Sequence, residues 1–170
     1  METGQAEHIK ITDARNDLEA LRASGSMPFV SNLVEYKGSK YLDGAVSDPI
    51  PLQKALDEGY GKIIVVLTRP ENYSKKKENL PYKWIYKKYQ NFVECANKQF
   101  EVYNQTLKLI KKNENDSKKN NSQVVYPIIA DGDVIGTVIL VSKDSNTKMT
   151  EVEQKVVQSA ASFLGTQMEL

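Results

Sequence analysis

VVYPIIADGDVIGTVILV, the sequence of residues 124–141, is the most regular stretch of this chain. Two runs rich in β-branched residues flank the segment 130–133, which has Asp131-Gly132 at its centre. An Asp-Gly pair between apolar runs is a strong hairpin signal, because both residues accept the positive φ angles of a tight turn. The sequence therefore predicts a β-hairpin at 124–141.

A loop at 142–148 and then a helix are predicted after the hairpin. Thr150 followed by Glu153 is a capping-box pattern, which marks a helix start. The helix carries apolar residues at helical spacing: Val152, Val156, Ala160, Phe163 and Leu164. Two strands and one helix form only part of a hydrophobic core. This segment is therefore expected to need a partner, such as a second copy bound through the hairpin and helix.

The segment 111–121 contains no apolar residue and predicts a linker or a long loop. Residues 1–112 carry 18 Lys and Arg against 14 Asp and Glu, whereas residues 122–170 carry 3 against 6, so the net charge changes sign across this segment. Before it, apolar spacing predicts a long helix through Phe92, Val93, Ala96, Phe100, Tyr103, Leu107 and Ile110. The chain is therefore divided into residues 1–112, a polar linker at 113–121, and residues 122–170.

The first part of the chain predicts the α/β class. The run at 62–68 (KIIVVLT) is dominated by apolar and β-branched residues, which is typical of a strand buried on both faces in a parallel sheet covered by helices. A helix is predicted at 50–58, and a helix followed by a buried strand is half of an α/β unit. Further predictions are a short strand at 6–11, a helix at 16–24 and a hairpin around the polar spacer 36–40.

Asp43 and Gly44 follow the apolar pair Tyr41-Leu42 and have two interpretations. A carboxylate delivered at the end of a strand onto a glycine turn is a common arrangement for a catalytic acid. An Asp-Gly pair is more often simply a turn, because its backbone suits hairpin corners. Spacing alone does not choose between the two.

Basic and aromatic side chains interleave at 71–88, a pattern found in nucleic-acid and membrane-interface sites. The alternative is a solvated helix face whose aromatic rings pack inward and whose lysine stems cover apolar surface. The formal net charge of the chain is +1, which gives no electrostatic support for a polyanionic partner. The packing interpretation is therefore favoured. No direct DNA binding is expected, and a weak contact with anionic membranes stays open.

The composition, 40% hydrophobic and 26% charged, is that of a soluble globular protein. Cys95 is the one cysteine, so no internal disulfide is expected, and no basic neighbour marks it as a reactive thiol. No apolar run approaches the roughly 20 residues of a membrane span, and the first residues lack the pattern of a secretory signal. A cytoplasmic protein is expected, with no cofactor and no metal.

Several segments of residues 1–112 carry a resemblance to a known family: 23–24, 27–29, 41–45 (YLDGA), 47–51 (SDPIP), 62–69 (KIIVVLTR) and the helix at 82–83. They resemble the C-terminal part of bacterial patatin-like phospholipases. The resemblance implies a partial parallel sheet flanked by helices and hydrolysis of lipid acyl esters. It also implies that Asp43, supported by Gly44, is the aspartate of a Ser-Asp dyad.

The serine of such a dyad stands in a G-x-S-x-G turn, and this sequence has no such motif. The family's glycine-rich oxyanion segment is missing too. Ser24 and Ser26 flank a single glycine next to a proline turn, and Ser47 precedes a helix, so none of them is expected to replace the nucleophile. His8 lies near the terminus and is expected at the surface.

A second resemblance covers residues 122–170. It rests on the segments 126–136 (YPIIADGDVIG), 142–144 (SKD), 151–153 (EVE), 160–164 (AASFL) and 167–169 (QME). They resemble the end of the stage V sporulation protein T family, which joins a small DNA-binding domain to a GAF-like sensory domain and regulates transcription as an oligomer. The resemblance implies a partial GAF-like fold made of its last hairpin and helix.

Three functions follow from these features. The leading hypothesis is an incomplete patatin-like acyl hydrolase segment that contributes Asp43 and is inactive alone, because the nucleophile is absent. The alternative is a regulatory or oligomerisation module of a sporulation transcription regulator, with GAF-like ligand sensing. The third is a non-functional fusion or remnant of two genes.

Overall fold

The computed structural model describes residues 1–13, 15–120, 123–144 and 147–168, with the backbone alone at 112–120. Internal contacts separate a first unit, Met1–Ile50 with Lys75–Gln105, from a second unit, Pro51–Ser74 with Thr106–Leu170. In chain order the elements are α1 (Leu18–Ser24), β1 (Val34–Tyr36), β2 (Ser39–Tyr41), a 3₁₀ turn (Gly44–Val46), α2 (Leu52–Asp57), β3 (Lys62–Leu67), α3 (Tyr82–Ile85), α4 (Gln90–Asn120), β4 (Gln123–Ala130), β5 (Asp133–Ser142) and α5 (Glu151–Met168). The α/β class is confirmed.

The first unit contains the hairpin that the sequence predicts around 36–40. β1 and β2 pair antiparallel, and the turn between them has Lys37 at φ 48° and Gly38 at φ 78°. Two successive positive φ angles match the twist of the strands, which is why a glycine stands in this corner. The helix predicted at 16–24 forms as α1. The strand predicted at 6–11 was wrong: these residues form no strand, since none of the described strands pairs with them.

An aromatic cluster forms the centre of the first unit. Tyr82, Tyr86 and Phe92 pack with Leu42, Val46, Val93 and Ala96. The Tyr86 and Phe92 rings meet edge to face with centroids 5.0 Å apart, and Phe29 lies 4.8 Å from Tyr82. Tyr82 and Tyr86 are buried, as the packing interpretation of 71–88 predicts, whereas Trp84 of the same segment is 83% exposed.

The second unit is built on a three-stranded antiparallel sheet in the order β3-β5-β4. The Asp131-Gly132 hairpin is confirmed: Asp131 has φ 51° and Gly132 φ 85°, and β4 pairs with β5 along its length. β3 pairs with the other edge of β5, from Lys62 opposite Ser142 to Leu67 opposite Thr137.

The strand predicted at 62–68 forms as β3, but the prediction that it is parallel and buried on both faces was wrong. β3 is an antiparallel edge strand, and its burial alternates: Val65 and Leu67 are buried, while Ile64 and Val66 are exposed. A run of β-branched residues indicates a preference for extended backbone. It does not report the direction of the neighbouring strand or which of the two faces is covered.

α5 packs on the sheet through a face that includes only part of the stripe the sequence predicts. Val157, Ala161 and Gly165 are its buried positions, and Val157 and Ala161 join a core with Val124, Ile128, Val138 and Leu140. Of the predicted stripe, Ala160 and Leu164 pack against this core and are partly buried, whereas Val152, Val156 and Phe163 are exposed. α5 therefore carries apolar side chains on two opposite faces, and periodicity cannot tell which face the sheet covers.

The polar segment at 113–121 is helical as far as it is described. α4 continues through it to Asn120, and Asn121 lies outside the described residues. The prediction of an irregular segment was wrong, because extending an existing helix adds a hydrogen bond for each residue without a new nucleation step. The division of the chain into two domains at this segment stays a prediction.

The predicted capping box is confirmed at the start of α5. The Thr150 N–H donates to Glu153 Oε2 at 2.8 Å, and the Val152 N–H donates to Thr150 Oγ1 at 3.3 Å. Lys62 Nζ of β3 lies 2.5 Å from the other carboxylate oxygen of Glu153. The hydrogen bond from Lys62 and those from Thr150 lower the pKa of Glu153 from 4.5 to about 2.

Gly165→Ala tests the packing of α5 on β4. A Cβ at Gly165 would lie 2.1 Å from the carbonyl oxygen of Ile129, which is backbone and cannot step aside. We expect the free energy of unfolding to fall by about 2 kcal/mol, the usual cost of overpacking. Gly25→Ala is the control, because nothing lies within 4 Å of its Cβ position. Equal unfolding midpoints in urea for the two variants would contradict this packing.

Glu153→Gln tests the electrostatic link between α5 and β3. Because folding lowers the pKa of Glu153 to about 2, its stabilising effect is complete above pH 4.5 and is lost as the pH falls through about 2. We therefore expect the variant to melt at a lower temperature than the parent at pH 7, with the gap closing toward pH 2. Glu151→Gln, an exposed neighbour in the same first turn, is the control. A gap that stays constant with pH would exclude this linkage.

Candidate functional site

The first unit contains a partly enclosed cavity of about 190 Å³ next to Asp43. Its buried walls are apolar and come from α1, from the end of β2 and from α4: Ala20, Ala23, Leu42, Val46 and Phe92. The extended N-terminal residues, among them Glu7, Ile9 and Ile11, form a further wall. The cavity thus combines an apolar interior with acidic residues in its lining.

Asp43 serves as the cap of the short 3₁₀ turn that follows β2. Its Oδ1 accepts a hydrogen bond from the Ala45 N–H at 2.8 Å, and its own N–H donates to the Ser26 carbonyl at 2.8 Å. Asp43-Gly44 does not form a hairpin corner. The corner between β1 and β2 is Lys37-Gly38. The turn interpretation thus describes the conformation of Asp43-Gly44, and the carboxylate lies in the lining of the cavity. A catalytic role for Asp43 stays a prediction.

Two of the three serines considered as nucleophiles, Ser24 and Ser47, line the same cavity. The Ser47 hydroxyl donates to the Gly44 carbonyl at 3.4 Å, and the buried Ser26 hydroxyl donates to the Arg22 carbonyl at 2.8 Å. Within the described part of the chain, no serine hydroxyl hydrogen-bonds to Asp43. The role of Asp43 as a dyad aspartate stays a prediction from resemblance.

His8 and Cys95 do not complete a catalytic set with Asp43. His8 Nε2 lies 2.9 Å from Asp48 Oδ2 at the surface, where the sequence places it. Burial raises the pKa of the Cys95 thiol, which lies 3.8 Å from the Val46 carbonyl oxygen. A raised pKa disfavours the thiolate that nucleophilic chemistry needs.

The second unit presents an exposed apolar surface beside α5. We define this outer patch as Val152, Val156 and Phe163 of α5 with Ile64 and Val66 of β3, which are each at least 50% exposed. Ile64 pairs with Leu140 and Val66 with Val138, and both partners pack under α5. Directly opposed residues of an antiparallel pair share a face of the sheet. The five side chains therefore lie on the same side of the sheet.

The family comparison covers most of this second unit. Residues 55–169 match the family of the stage V sporulation protein T C-terminal, transcription factor. The chain belongs to this family. The match covers about two thirds of the chain and includes β3, β4, β5 and α5. The family match begins at residue 55, whereas the resemblance found in the sequence begins only at residue 122.

Two individual proteins are similar over shorter stretches. Stage V sporulation protein T of Bacillus subtilis (strain 168) is 55% identical over 49 residues, which are 29% of this chain and 26% of that protein. The uncharacterized protein YjjU of Escherichia coli (strain K12) is 39% identical over 57 residues, which are 33% of this chain and 16% of that protein. The chain thus covers only about a quarter and a sixth of these relatives. No solved structure gives a significant match.

These findings give no support to the patatin-like interpretation of residues 1–112, and the family match supports the alternative hypothesis over the leading one. In the described ranges, no helix is both long enough and apolar enough to cross a bilayer. A search of the same ranges finds no group of three acidic, histidine or cysteine side chains placed to hold a metal.

Asp43→Ala tests the capping role of this residue. The substitution removes the acceptor for the Ala45 N–H, and we expect a loss of about 1 kcal/mol, as for other N-cap residues. Asp43→Asn keeps an acceptor oxygen and should cost less than half as much. Denaturant unfolding of the two variants separates these outcomes. Equal losses would show that the charge of Asp43, and not its cap, stabilises the turn.

Proposed function

We propose that this chain works as a regulatory module of the sporulation-regulator type and that its second unit self-associates through the outer patch. Membership of the stage V sporulation protein T C-terminal family supports a regulatory role. The observation that carries self-association is the exposure of Val156 and Phe163, because the opposite face of α5 already packs on the sheet. A helix with apolar residues on both faces is typical of one that is covered on both sides.

The free energy that the outer patch can contribute is comparable to the cost of forming a two-fold symmetric dimer. Burying the exposed half of one aliphatic or aromatic side chain contributes about 1 kcal/mol. In an isologous dimer the five side chains of the outer patch are used twice, which gives roughly 10 kcal/mol before the cost of association. That cost is about 4–15 kcal/mol, so the dimer needs most of the outer patch. A single charge introduced there is then sufficient to dissociate it.

A ligand-sensing role is part of the same proposal. An open depression of about 780 Å³ in the second unit is lined by residues that include Pro70, Glu71, Asn72, Pro127 and Thr137. Thr137 lies on β5 and Pro127 directly opposite it on β4, so the sheet that carries α5 also borders the depression. A ligand held there would contact the strands on which the self-associating helix rests.

Phe163→Glu is the direct test of self-association. We expect the parent chain to sediment as a dimer at tens of micromolar and the variant as a monomer, because the contact would bury an unpaired carboxylate. Analytical ultracentrifugation over a dilution series measures the shift.

Ser162→Glu is the matched control. It adds the same charge to the adjacent exposed position of α5, outside the outer patch, and should leave the dimer intact. Circular dichroism of both variants checks that α5 still folds. A parent chain that stays monomeric at high concentration, or equal dissociation of both variants, would exclude the outer patch as the contact.

A further inference from the structure

The cavity beside Asp43 has a charge character that the proposed function does not use. Two acidic residues, Glu7 and Asp43, are in its lining, and no Lys, Arg or His side chain of the described residues lines it. Met1 also belongs to the lining, and its ammonium is already engaged: it donates to the Lys40 carbonyl at 2.8 Å and lies 3.6 Å from Glu2 Oε2. Two carboxylates against one paired ammonium leave the lining with a net negative charge. The lining therefore favours a positive ligand group over a negative one.

Both carboxylates keep acceptor capacity toward a ligand. Glu7 Oε2 accepts from the Tyr41 hydroxyl at 2.6 Å, and Asp43 Oδ1 accepts from the Ala45 N–H at 2.8 Å. The second oxygen of each carboxylate accepts no hydrogen bond from the described residues. An ionised carboxylate offers about four acceptor positions, so each can accept from an ammonium group without losing its present partner. These bonds also fix the two side chains in place.

The interior of the cavity suits an aliphatic chain. Ala20 and Ala23 lie three residues apart on the buried face of α1, and their small side chains leave the space open toward Leu42, Val46 and Phe92. An apolar cavity of about 150 Å³ holds a molecule of the size of benzene. The volume of about 190 Å³ therefore admits a chain of roughly six carbon atoms.

We propose that this cavity binds a small aliphatic ammonium compound, with its chain against the apolar walls and its ammonium group at Glu7 and Asp43. Glu7 is exposed and Asp43 half-buried, whereas the apolar walls are buried. This difference in exposure orients the ligand, because its ammonium end stays near water while its aliphatic chain is buried. A carboxylate ligand of the same length meets two like charges and binds more weakly. The site belongs to the first unit and does not depend on the proposed self-association.

Isothermal titration of the full chain with hexylammonium, hexanol and hexanoate at pH 7 tests the proposal. We expect hexylammonium to bind at least about tenfold more tightly than hexanoate, with hexanol between them, as for a unit charge beside two partly solvated carboxylates. In the double variant Glu7→Gln with Asp43→Asn the preference should fall to within about threefold. Asn at position 43 keeps the acceptor for Ala45, so the turn is retained.

Two further variants separate charge from space. Glu35→Gln removes one exposed carboxylate on β1 outside the lining, and it should keep the full preference for hexylammonium. Ala23→Leu fills the interior and should weaken hexylammonium and hexanol alike. Equal binding of hexylammonium and hexanoate, a preference that survives the double variant, or no binding of hexylammonium would each overturn the proposal. The charge variants decide the question even if Ala23→Leu does not fold.

Discussion

The pairing of β3 with β5 is the constraint on which the second unit depends. Six residue pairs, from Lys62 opposite Ser142 to Leu67 opposite Thr137, join residues that are 70 to 80 positions apart in the chain. A two-stranded hairpin alone is marginal in water, and a third strand lets it present a face that a helix can cover. The pairing also makes β5 the central strand, and its residues from Gly136 to Ser142 are buried. Without β3, one edge of this apolar strand would face solvent.

The same pairing sets the environment of α5. Lys62 of β3 reaches Glu153 in the first turn of α5, so the capping box and the sheet edge are joined by one carboxylate. α5 rests on β4 and β5, and it leaves Ile64 and Val66 of β3 uncovered. The outer patch is thus a consequence of a helix that covers only two of three strands. The exposed side chains of α5 in the outer patch, Val152, Val156 and Phe163, extend that uncovered surface.

Local patterns in the sequence were sufficient for elements whose partners are close in the chain. Both hairpins were predicted from glycine-bearing turns, and Lys37-Gly38 and Asp131-Gly132 have the positive φ angles that such turns need. The capping box at Thr150 and Glu153 was predicted from spacing and forms as expected. Asp43 was predicted near the end of a strand and lies just after β2, whereas its hydrogen-bond partners could not be predicted. The cavity beside it is built by α1, α4 and the N-terminal residues, whose approach depends on tertiary contacts.

The sequence by itself determined where strands, turns and helices form, because propensity, turn chemistry and capping act within a few residues. It also determined that the C-terminal hairpin and helix belong with the stage V sporulation protein T family, which the match over 55–169 extends to β3. Only the tertiary structure decided that β3 runs antiparallel to β5 and which face of α5 is buried. The physical reason is that strand direction and helix orientation depend on which surfaces meet across the fold, and an apolar run has the same composition in either arrangement.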